Sequence, residues 1–179
     1  MRKLTVREIT FMGMGVALLT LCSWIAVPTA VPFTLQTFAV CLIAALFSLK
    51  AGLGTVACYL LLGAIGAPVF SGFRGGVGIL LGATGGYLVG FLFTGAVVGF
   101  AVRRFGRGFP VLVVSMAVGI LICYLFGTLW FMRVYTRANG PVGLGAVLGW
   151  CVLPYLIPDA LKIVLASLLT RRLKPLTRL

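Results

Sequence analysis

The chain has 179 residues, of which 61% are hydrophobic and only 9% are charged. So few polar residues cannot cover the surface of a soluble globule of this size, which places the chain in a lipid bilayer. The net charge of +13 falls in short clusters between long apolar runs. This distribution argues against nucleic-acid binding, because it forms no continuous basic face with interleaved aromatic residues.

The first element is an apolar stretch that follows the basic segment MRKLTVREIT at residues 1–10. A basic segment ahead of an apolar run also fits a signal peptide. Here, however, Glu8 interrupts the basic region, the apolar stretch is long, and the rest of the chain is equally apolar. We therefore expect a retained first transmembrane helix.

Apolar runs bounded by charge, Gly or Pro predict six transmembrane helices in one all-α membrane domain that covers residues 1–179. The predicted helices span roughly residues 9–27, 34–49, 51–66, 84–102, 110–132 and 144–170. The second and third nearly adjoin at Lys50 and Gly52, which predicts a tight hairpin. The last contains Pro154 and Pro158, so we expect a kink or a restart, with a helix that begins near Pro158.

The distribution of Lys and Arg predicts the orientation of these helices. A six-helix arrangement places eleven basic residues on one side and three on the other. The eleven are Arg2, Lys3, Arg7, Lys50, Arg103, Arg104, Arg107, Arg171, Arg172, Lys174 and Arg178, and the three are Arg74, Arg133 and Arg137. Because cytoplasmic loops are enriched in Lys and Arg, both termini are predicted to be cytoplasmic in a multi-pass protein of the cell membrane. The same clusters are expected to contact lipid headgroups.

The connection between the third and fourth predicted helices differs from the others. It reads APVFSGFRGGVGILLGATGG over residues 67–86 and combines many glycines with Phe70, Phe73 and Arg74. Irregular backbone near a membrane must be satisfied by protein or by water. Residues 67–83 are therefore predicted to fold as a lid-like loop over an outer cavity, with a plain connector as the alternative.

Several kinds of chemistry are absent from the sequence. It contains no histidine, no G-x-x-x-x-G-K-[ST] phosphate loop and no G-x-G-x-x-G motif. The two acidic residues, Glu8 and Asp159, lie in distant parts of the chain, and the five cysteines are dispersed. We therefore expect no enzymatic activity, no metal site and no resident cofactor, which leaves binding or transport.

The segment PDALK at residues 158–162 places a carboxylate and an ammonium inside an apolar run. Asp159 precedes the basic anchor Arg171 by twelve residues, or about 18 Å of helix, in a hydrocarbon layer about 30 Å thick. Asp159 and Lys162 share a helix face at this spacing. They form either a structural ion pair or an adjacent acceptor and donor for a ligand with neighbouring N–H and C=O groups, such as a ureido ring.

Three ordered motifs resemble the BioY family, the biotin-specific S component of energy-coupling factor (ECF) transporters. They are VPFTLQTFAV (31–40), LLGAIGAPVFSGFRGGVGILLGATGGYLVGF (61–91) and LPYLIPDALKIVLASLLTRRL (153–173). The resemblance implies a six-helix membrane protein that captures biotin from outside and works with a T component and two ATP-binding-cassette ATPases. Some members of the family are thought to act without that module.

The resemblance also implies site residues. Asp159 and Lys162 match the family's charged pair, which would hold the ureido group. The remaining matches are the pocket segment Gly85, Gly86 and Tyr87, the lid residues Phe70, Phe73 and Arg74, and the nearby Gln36 and Thr37. Arg74 is our choice for the biotin carboxylate, because it is a cation in the predicted lid.

Two positions depart from the family pattern. Ala83 stands where Pro is expected before T-G-G-Y, and Gly13 with Ala17 stands where A-x-x-x-A is expected for docking the T component. Two alternatives stay open: an S component for another small vitamin, and a lipid-facing scaffold or small channel without a tight ligand.

Overall fold

The structure is a computed structural model that describes residues 5–29 and 31–173. Four basic residues of the orientation argument, Arg2, Lys3, Lys174 and Arg178, lie outside this part of the chain. The elements in chain order are α1 (Val6–Trp24), β1 (Ala26–Val27), β2 (Phe33–Thr34), α2 (Gln36–Leu46), α3 (Leu49–Ala64), α4 (Val77–Leu81), α5 (Gly85–Phe105), α6 (Phe109–Asn139), α7 (Leu144–Cys151), a 3₁₀ turn (Leu153–Tyr155) and α8 (Leu156–Leu173).

The all-α prediction is confirmed, but the predicted helices differ in length. Four helical segments of the described chain are long and apolar enough to cross a membrane, namely α1, α5, α6 and the segment Leu144–Leu173. The second and third predicted spans are shorter helices of 11 and 16 residues. An 11-residue helix is only about 16 Å long. Nine of the eleven α2 residues are buried, so α2 is a central helix of the bundle rather than one that faces lipid on its own.

The predicted interruption of the last span is confirmed. Helix α7 ends at Cys151, a 3₁₀ turn follows, and α8 begins at Leu156, two residues before Pro158. Pro158 therefore lies in the first turn of α8, where a missing backbone N–H breaks no helical hydrogen bond.

The turn between α2 and α3 consists of Phe47 and Ser48, so it lies just before the predicted Lys50 and Gly52. Ser48 caps α3, because its hydroxyl accepts a hydrogen bond from the backbone N–H of Ala51 at 3.3 Å. The same hydroxyl donates to Glu8 Oε1 at 3.0 Å. Glu8 is buried and also closes a capping box with Thr5 at the start of α1, so one carboxylate joins the starts of α1 and α3.

Helices α5 and α6 form the most extensive pair of the bundle. Gly90 on α5 lies so close to α6 that an added side-chain carbon would meet Cys123 Sγ at 2.7 Å. The Thr94 hydroxyl donates to Gly119 O across the same interface at 2.9 Å. Close backbone approach and an interhelical hydrogen bond are the usual means of helix association in a membrane.

The helices place a set of chain segments together at one end of the bundle. Here α1, α3 and α6 end, α2, α5 and α8 begin, and two connections meet: the ribbon of β1 and β2, and residues 65–84 with α4. Arg74, Arg133 and Arg137 lie at this end, whereas seven described basic residues lie at the opposite end, namely Arg7, Lys50, Arg103, Arg104, Arg107, Arg171 and Arg172. The unequal charge distribution therefore follows the two ends of the bundle.

Candidate functional site

A cavity of about 410 Å³ opens at the end of the bundle where these two connections meet. Its volume falls within the range of about 300–1,000 Å³ that is typical of small-molecule sites. The lining residues come from the two connections, including β2 and α4, and from α2, α5, α6, α7, the 3₁₀ turn and α8: Thr29, Val31, Pro32, Phe33, Thr34, Gln36, Thr37, Phe70, Ser71, Arg74, Gly78, Ile79, Gly82, Ala83, Thr84, Tyr87, Leu88, Phe91, Cys123, Tyr124, Cys151, Tyr155, Asp159 and Lys162.

Asp159 and Lys162 form an ion pair in the wall of this cavity. Lys162 Nζ lies 2.7 Å from Asp159 Oδ1, and the two side chains are only 6–7% exposed. Lys162 also donates to Thr34 O at 2.7 Å and to the Thr37 hydroxyl at 3.2 Å. An ammonium has three N–H donors, so the protein itself satisfies all three.

Asp159 retains acceptor capacity. Its Oδ1 accepts from Lys162 and, at 3.0 Å, from the Thr37 hydroxyl, while Oδ2 accepts from the Tyr124 hydroxyl. A carboxylate offers about four lone-pair positions, and three are occupied. One acceptor position on a buried carboxylate in the cavity wall is therefore open to an N–H donor.

The connection between α1 and α2 covers the charged pair, which the sequence did not predict. The Phe33 ring centroid lies 4.1 Å from Lys162 Nζ, a cation–π distance. Phe33 also stacks on Tyr155, whose hydroxyl donates to Val31 O. The ribbon is thus held to α8 through Lys162 and through the 3₁₀ turn. The motif VPFTLQT contains Phe33 and Thr34, whereas the family resemblance implies roles only for Gln36 and Thr37 in this motif.

Gln36 lies at the cavity wall within a second hydrogen-bond network. Its Oε1 accepts from the Thr34 hydroxyl at 2.9 Å, and its Nε2 donates to Tyr59 OH at 2.7 Å. Tyr59 donates in turn to Val69 O at 2.9 Å, which Ser23 also reaches at 2.6 Å. The network ties α1, α2 and α3 to the beginning of the predicted lid, residues 67–83.

The three predicted lid residues have different environments. Phe70 is 1% exposed and packs edge-on against Tyr59, with 5.5 Å between ring centroids. Phe73 does not line the cavity: it is 63% exposed and lies against Trp24, with 4.7 Å between ring centroids. Arg74 lines the cavity, is exposed, and makes no side-chain hydrogen bond within the described chain. Phe70 and Arg74 are joined by a backbone bridge.

The three residues of the predicted pocket segment also differ in whether they line the cavity. Tyr87 lines the cavity, and its hydroxyl shares a 3.1 Å hydrogen bond with Thr128. Gly85 and Gly86 do not line the cavity. A side-chain carbon added at Gly85 would collide with Leu80 O, and one added at Gly86 would collide with the Trp130 side chain. The two glycines therefore let α5 approach its neighbours closely.

Tyr124, Cys123 and Cys151 also line the cavity and were not predicted. Each lies in an apolar run, and the local sequence does not show whether a tyrosine or cysteine there lines a cavity or packs in the core. Among the described residues, no three His, Cys, Asp or Glu side chains lie close enough together to hold a metal ion.

The comparisons with known proteins agree with one another. The sequence profile of the BioY family matches residues 1–178. The chain is 36% identical to the biotin transporter BioY of Thermotoga maritima over 95% of this chain and 97% of the relative. It is 35% identical to the probable biotin transporter BioY of Pyrococcus horikoshii over 94% and 96% of the two chains.

A solved structure, that of the S-component for biotin from an ECF-type ABC transporter, superimposes with a TM-score of 0.82 at 26% identity and covers 97% of this chain and 95% of the other. Sequence and fold agree over nearly the full length, and the chain therefore belongs to the BioY family.

Proposed function

We propose that this chain binds biotin and carries out its uptake across the cell membrane as the S component of an ECF-type transporter. The observation that supports this function most is the ion pair of Asp159 and Lys162 in the wall of a cavity of about 410 Å³. A buried ion pair at a cavity surface is costly, and within a membrane such pairs usually serve a ligand. An enzymatic function has no support from the family.

The ureido ring of biotin presents adjacent N–H and C=O groups, which complement the pair. In our proposal one ureido N–H donates to the open acceptor position of Asp159. The ureido oxygen accepts a hydrogen bond from Lys162 and so replaces the Thr37 hydroxyl as one of its three acceptors. The bond from Lys162 to Thr37, at 3.2 Å, is the longest of the three. Thr37 keeps its own bond to Asp159, so the exchange leaves no buried donor unpaired.

The other proposed site residues act around this pair. Leu88, Phe91 and Tyr87 would contact the apolar rings and chain of the ligand, and Gln36 and Phe70 would hold the cavity wall in position. Arg74 would bind the carboxylate, since its guanidinium reaches the cavity without a protein acceptor in the described chain. Gly85 and Gly86 would contribute through close helix packing rather than contact.

Residues 67–83 act as a lid in this proposal, within a single membrane domain of residues 1–179. The ends of the lid are attached to different helices: Trp24 Nε1 donates to Pro68 O and Trp130 Nε1 donates to Gly82 O, each at 2.9 Å. Phe73 would keep the outer turn of the lid against α1.

We further propose six membrane crossings with both termini in the cytoplasm. The charge difference between the two ends of the bundle supports this orientation, because the end with seven described basic residues would face the cytoplasm. The short helices α2 and α3 would cross as part of the bundle, with α2 shielded from lipid by its neighbours.

The proposed partners are a T component and two ATP-binding-cassette ATPases, since this sequence has no phosphate loop of its own. Gly13 and Ala17 on α1 are the proposed docking residues. Both are exposed, and a side-chain carbon added at Gly13 would meet no atom within 4 Å. No cofactor or metal is part of the proposal, and biotin is the transported ligand.

Thermal unfolding of the purified chain with biotin, thiamine or riboflavin tests this function. A ligand that binds only the folded protein stabilises it by about 2.7 kcal/mol at one hundred times its dissociation constant. We expect a saturable rise in Tm with biotin alone. A rise with thiamine or riboflavin instead would identify an S component for another vitamin, and no rise with any of the three would favour a membrane scaffold.

A further inference from the structure

A second cleft lies at the opposite end of the bundle from the biotin cavity. Its volume is about 580 Å³, and it is lined by Arg107 and Gly108 of the turn between α5 and α6, by Phe109 and Pro110 at the start of α6, and by Arg171 from the last turn of α8. We name these five residues the arginine cleft. Neither the proposed biotin site nor the proposed docking residues include any of them.

Arg107 is held in a fixed position within this cleft. Its Nε donates to Ala45 O at 2.9 Å and its Nη2 donates to Leu46 O at 2.8 Å. These two carbonyls end helix α2 and have no helical donor of their own. A guanidinium has five N–H donors, so three remain on a group whose orientation is already set.

Within residues 5–29 and 31–173, the salt bridge found joins Lys162 to Asp159, and neither arginine of the cleft lies in a salt bridge with a side-chain carboxylate. The chain has only two acidic residues: Asp159 lies in the biotin cavity, and Glu8 bonds to Thr5 and Ser48. The Arg171 guanidinium makes no hydrogen bond within the described chain and is exposed. Two cations in one cleft repel each other, so an anion there is stabilised by both of them.

The geometry points to the phosphate of an anionic phospholipid as the occupant of the arginine cleft. Arginine binds phosphate oxygens through paired N–H donors, and basic pockets between transmembrane helices bind anionic headgroups. Phe109 and Pro110 give the cleft an apolar wall beside its two cations, which suits a headgroup with attached acyl chains better than free phosphate. A bound lipid would join the ends of α2 and α8 through Arg107 and Arg171.

The test measures Tm of the detergent-solubilised full chain with added phosphatidylglycerol, phosphatidylcholine or inorganic phosphate. Arg171→Gln removes one cation of the cleft, and Arg172→Gln is the matched control, because Arg172 is the next residue of the same helix turn and does not line the cleft. Arg107 is left unchanged, since its loss would also free the last carbonyls of α2.

We expect phosphatidylglycerol to raise the Tm of the wild-type protein and of Arg172→Gln by about 2–4 °C. The Tm of Arg171→Gln should not rise. If phosphatidylglycerol raised the Tm of Arg171→Gln and Arg172→Gln equally, or if both variants lost the Tm increase equally, the effect would be one of general charge. Either result would overturn the specific site. An equal rise with inorganic phosphate would overturn the lipid assignment.

Native mass spectrometry of the unchanged protein gives a second readout that does not depend on how the variants fold. When both lipids are supplied equally, the complex with one bound phosphatidylglycerol should be about tenfold more abundant than the complex with one bound phosphatidylcholine. Equal retention of the two lipids would contradict the proposal. Neither experiment uses biotin, so the result is independent of the proposed transport function.

Discussion

The Tyr124 hydroxyl on α6 donates a hydrogen bond to Asp159 Oδ2 on α8. The other oxygen of the same carboxylate accepts from Thr37 on α2 and from Lys162 one turn further along α8. Donors from three helices therefore set the plane of the carboxylate, and this determines where its open acceptor position points. We regard Tyr124 as a positioning residue for Asp159.

Tyr124→Phe should weaken biotin binding by about 1–3 kcal/mol, because it leaves a buried carboxylate oxygen without its donor. Isothermal titration measures the loss. Tyr135→Phe is the matched control, since Tyr135 also lies on α6, does not line the cavity, and makes no hydrogen bond through its hydroxyl in the described chain. Equal losses for both variants would show that the Tyr124 hydroxyl has no specific role.

Single replacements of the charged pair should affect both binding and stability. Asp159→Asn or Lys162→Met should weaken biotin binding by about 2–5 kcal/mol and also lower the Tm of the unliganded protein, because each leaves a buried charge without its partner. The double replacement should recover much of the Tm but none of the binding. Affinity and unliganded Tm measured on the same three variants separate the two effects.

A double variant that binds biotin normally would refute the assignment of the site. A double variant that recovers neither stability nor binding would mean that the bonds from Lys162 to Thr34 and Thr37 matter more than the ion pair itself.

The features predicted correctly from the sequence depend on local patterns. The PDALK segment places Asp159 and Lys162 on one helix face by spacing alone, and Pro154 with Pro158 forces an interruption wherever the neighbouring helices lie. The apolar runs likewise predict where helices occur, since their backbone groups must be satisfied internally in a membrane.

Contacts between distant segments could not be predicted in this way. Helix α6 carries no charged residue before Arg133 and is apolar around most of its circumference there, so nothing in its sequence separates the face with Tyr124 from a face toward lipid. The bond from Lys162 to Thr34 O uses a backbone atom, which carries no sequence signal. Helix α2 is shorter than the predicted span 34–49 at both ends, because Thr34 pairs with β1 and the chain turns at Phe47 and Ser48, in a stretch apolar enough to be predicted as one helix.

Arg74→Gln should weaken biotin binding by about 1 kcal/mol, or roughly fivefold, because an exposed cation contributes only modestly through solvent. The neutral amide of biotin should bind the variant and the unchanged protein equally well. Arg133→Gln is the control, since Arg133 lies at the same end of the bundle but does not line the cavity. An equal loss for biotin and its amide would remove the carboxylate assignment.

Reporter fusions test the proposed orientation. Fusions after residue 50, after residue 106 and at the C-terminus should report the cytoplasm, and a fusion near residue 75 should report the outside. The fusion after residue 106 falls in the turn between α5 and α6, beside Arg103, Arg104 and Arg107. An outside signal there would contradict six crossings with a cytoplasmic basic end.

Replacement of Gly13 and Ala17 by leucine should block assembly with the T component and leave biotin binding unchanged. Small residues four positions apart let a partner helix approach closely, and neither residue lines the proposed biotin cavity. Gly15 shows the contrast within the same helix: a side-chain carbon there would meet Thr55 Cγ2 at 2.7 Å, so that glycine packs inside the bundle. Copurification of tagged T component measures assembly.

The matched control is the double replacement of Gly145 and Gly149 by leucine. These two glycines have the same spacing on α7, and a side-chain carbon at either position would meet no atom within 4 Å. The control should assemble and bind biotin normally, because it adds the same bulk to an open surface of a different helix. Loss of assembly in both double variants would mean that added side-chain bulk in general prevents assembly. Loss of biotin binding in the variant with Gly13 and Ala17 replaced would mean that the packing of α1, rather than docking, had been damaged.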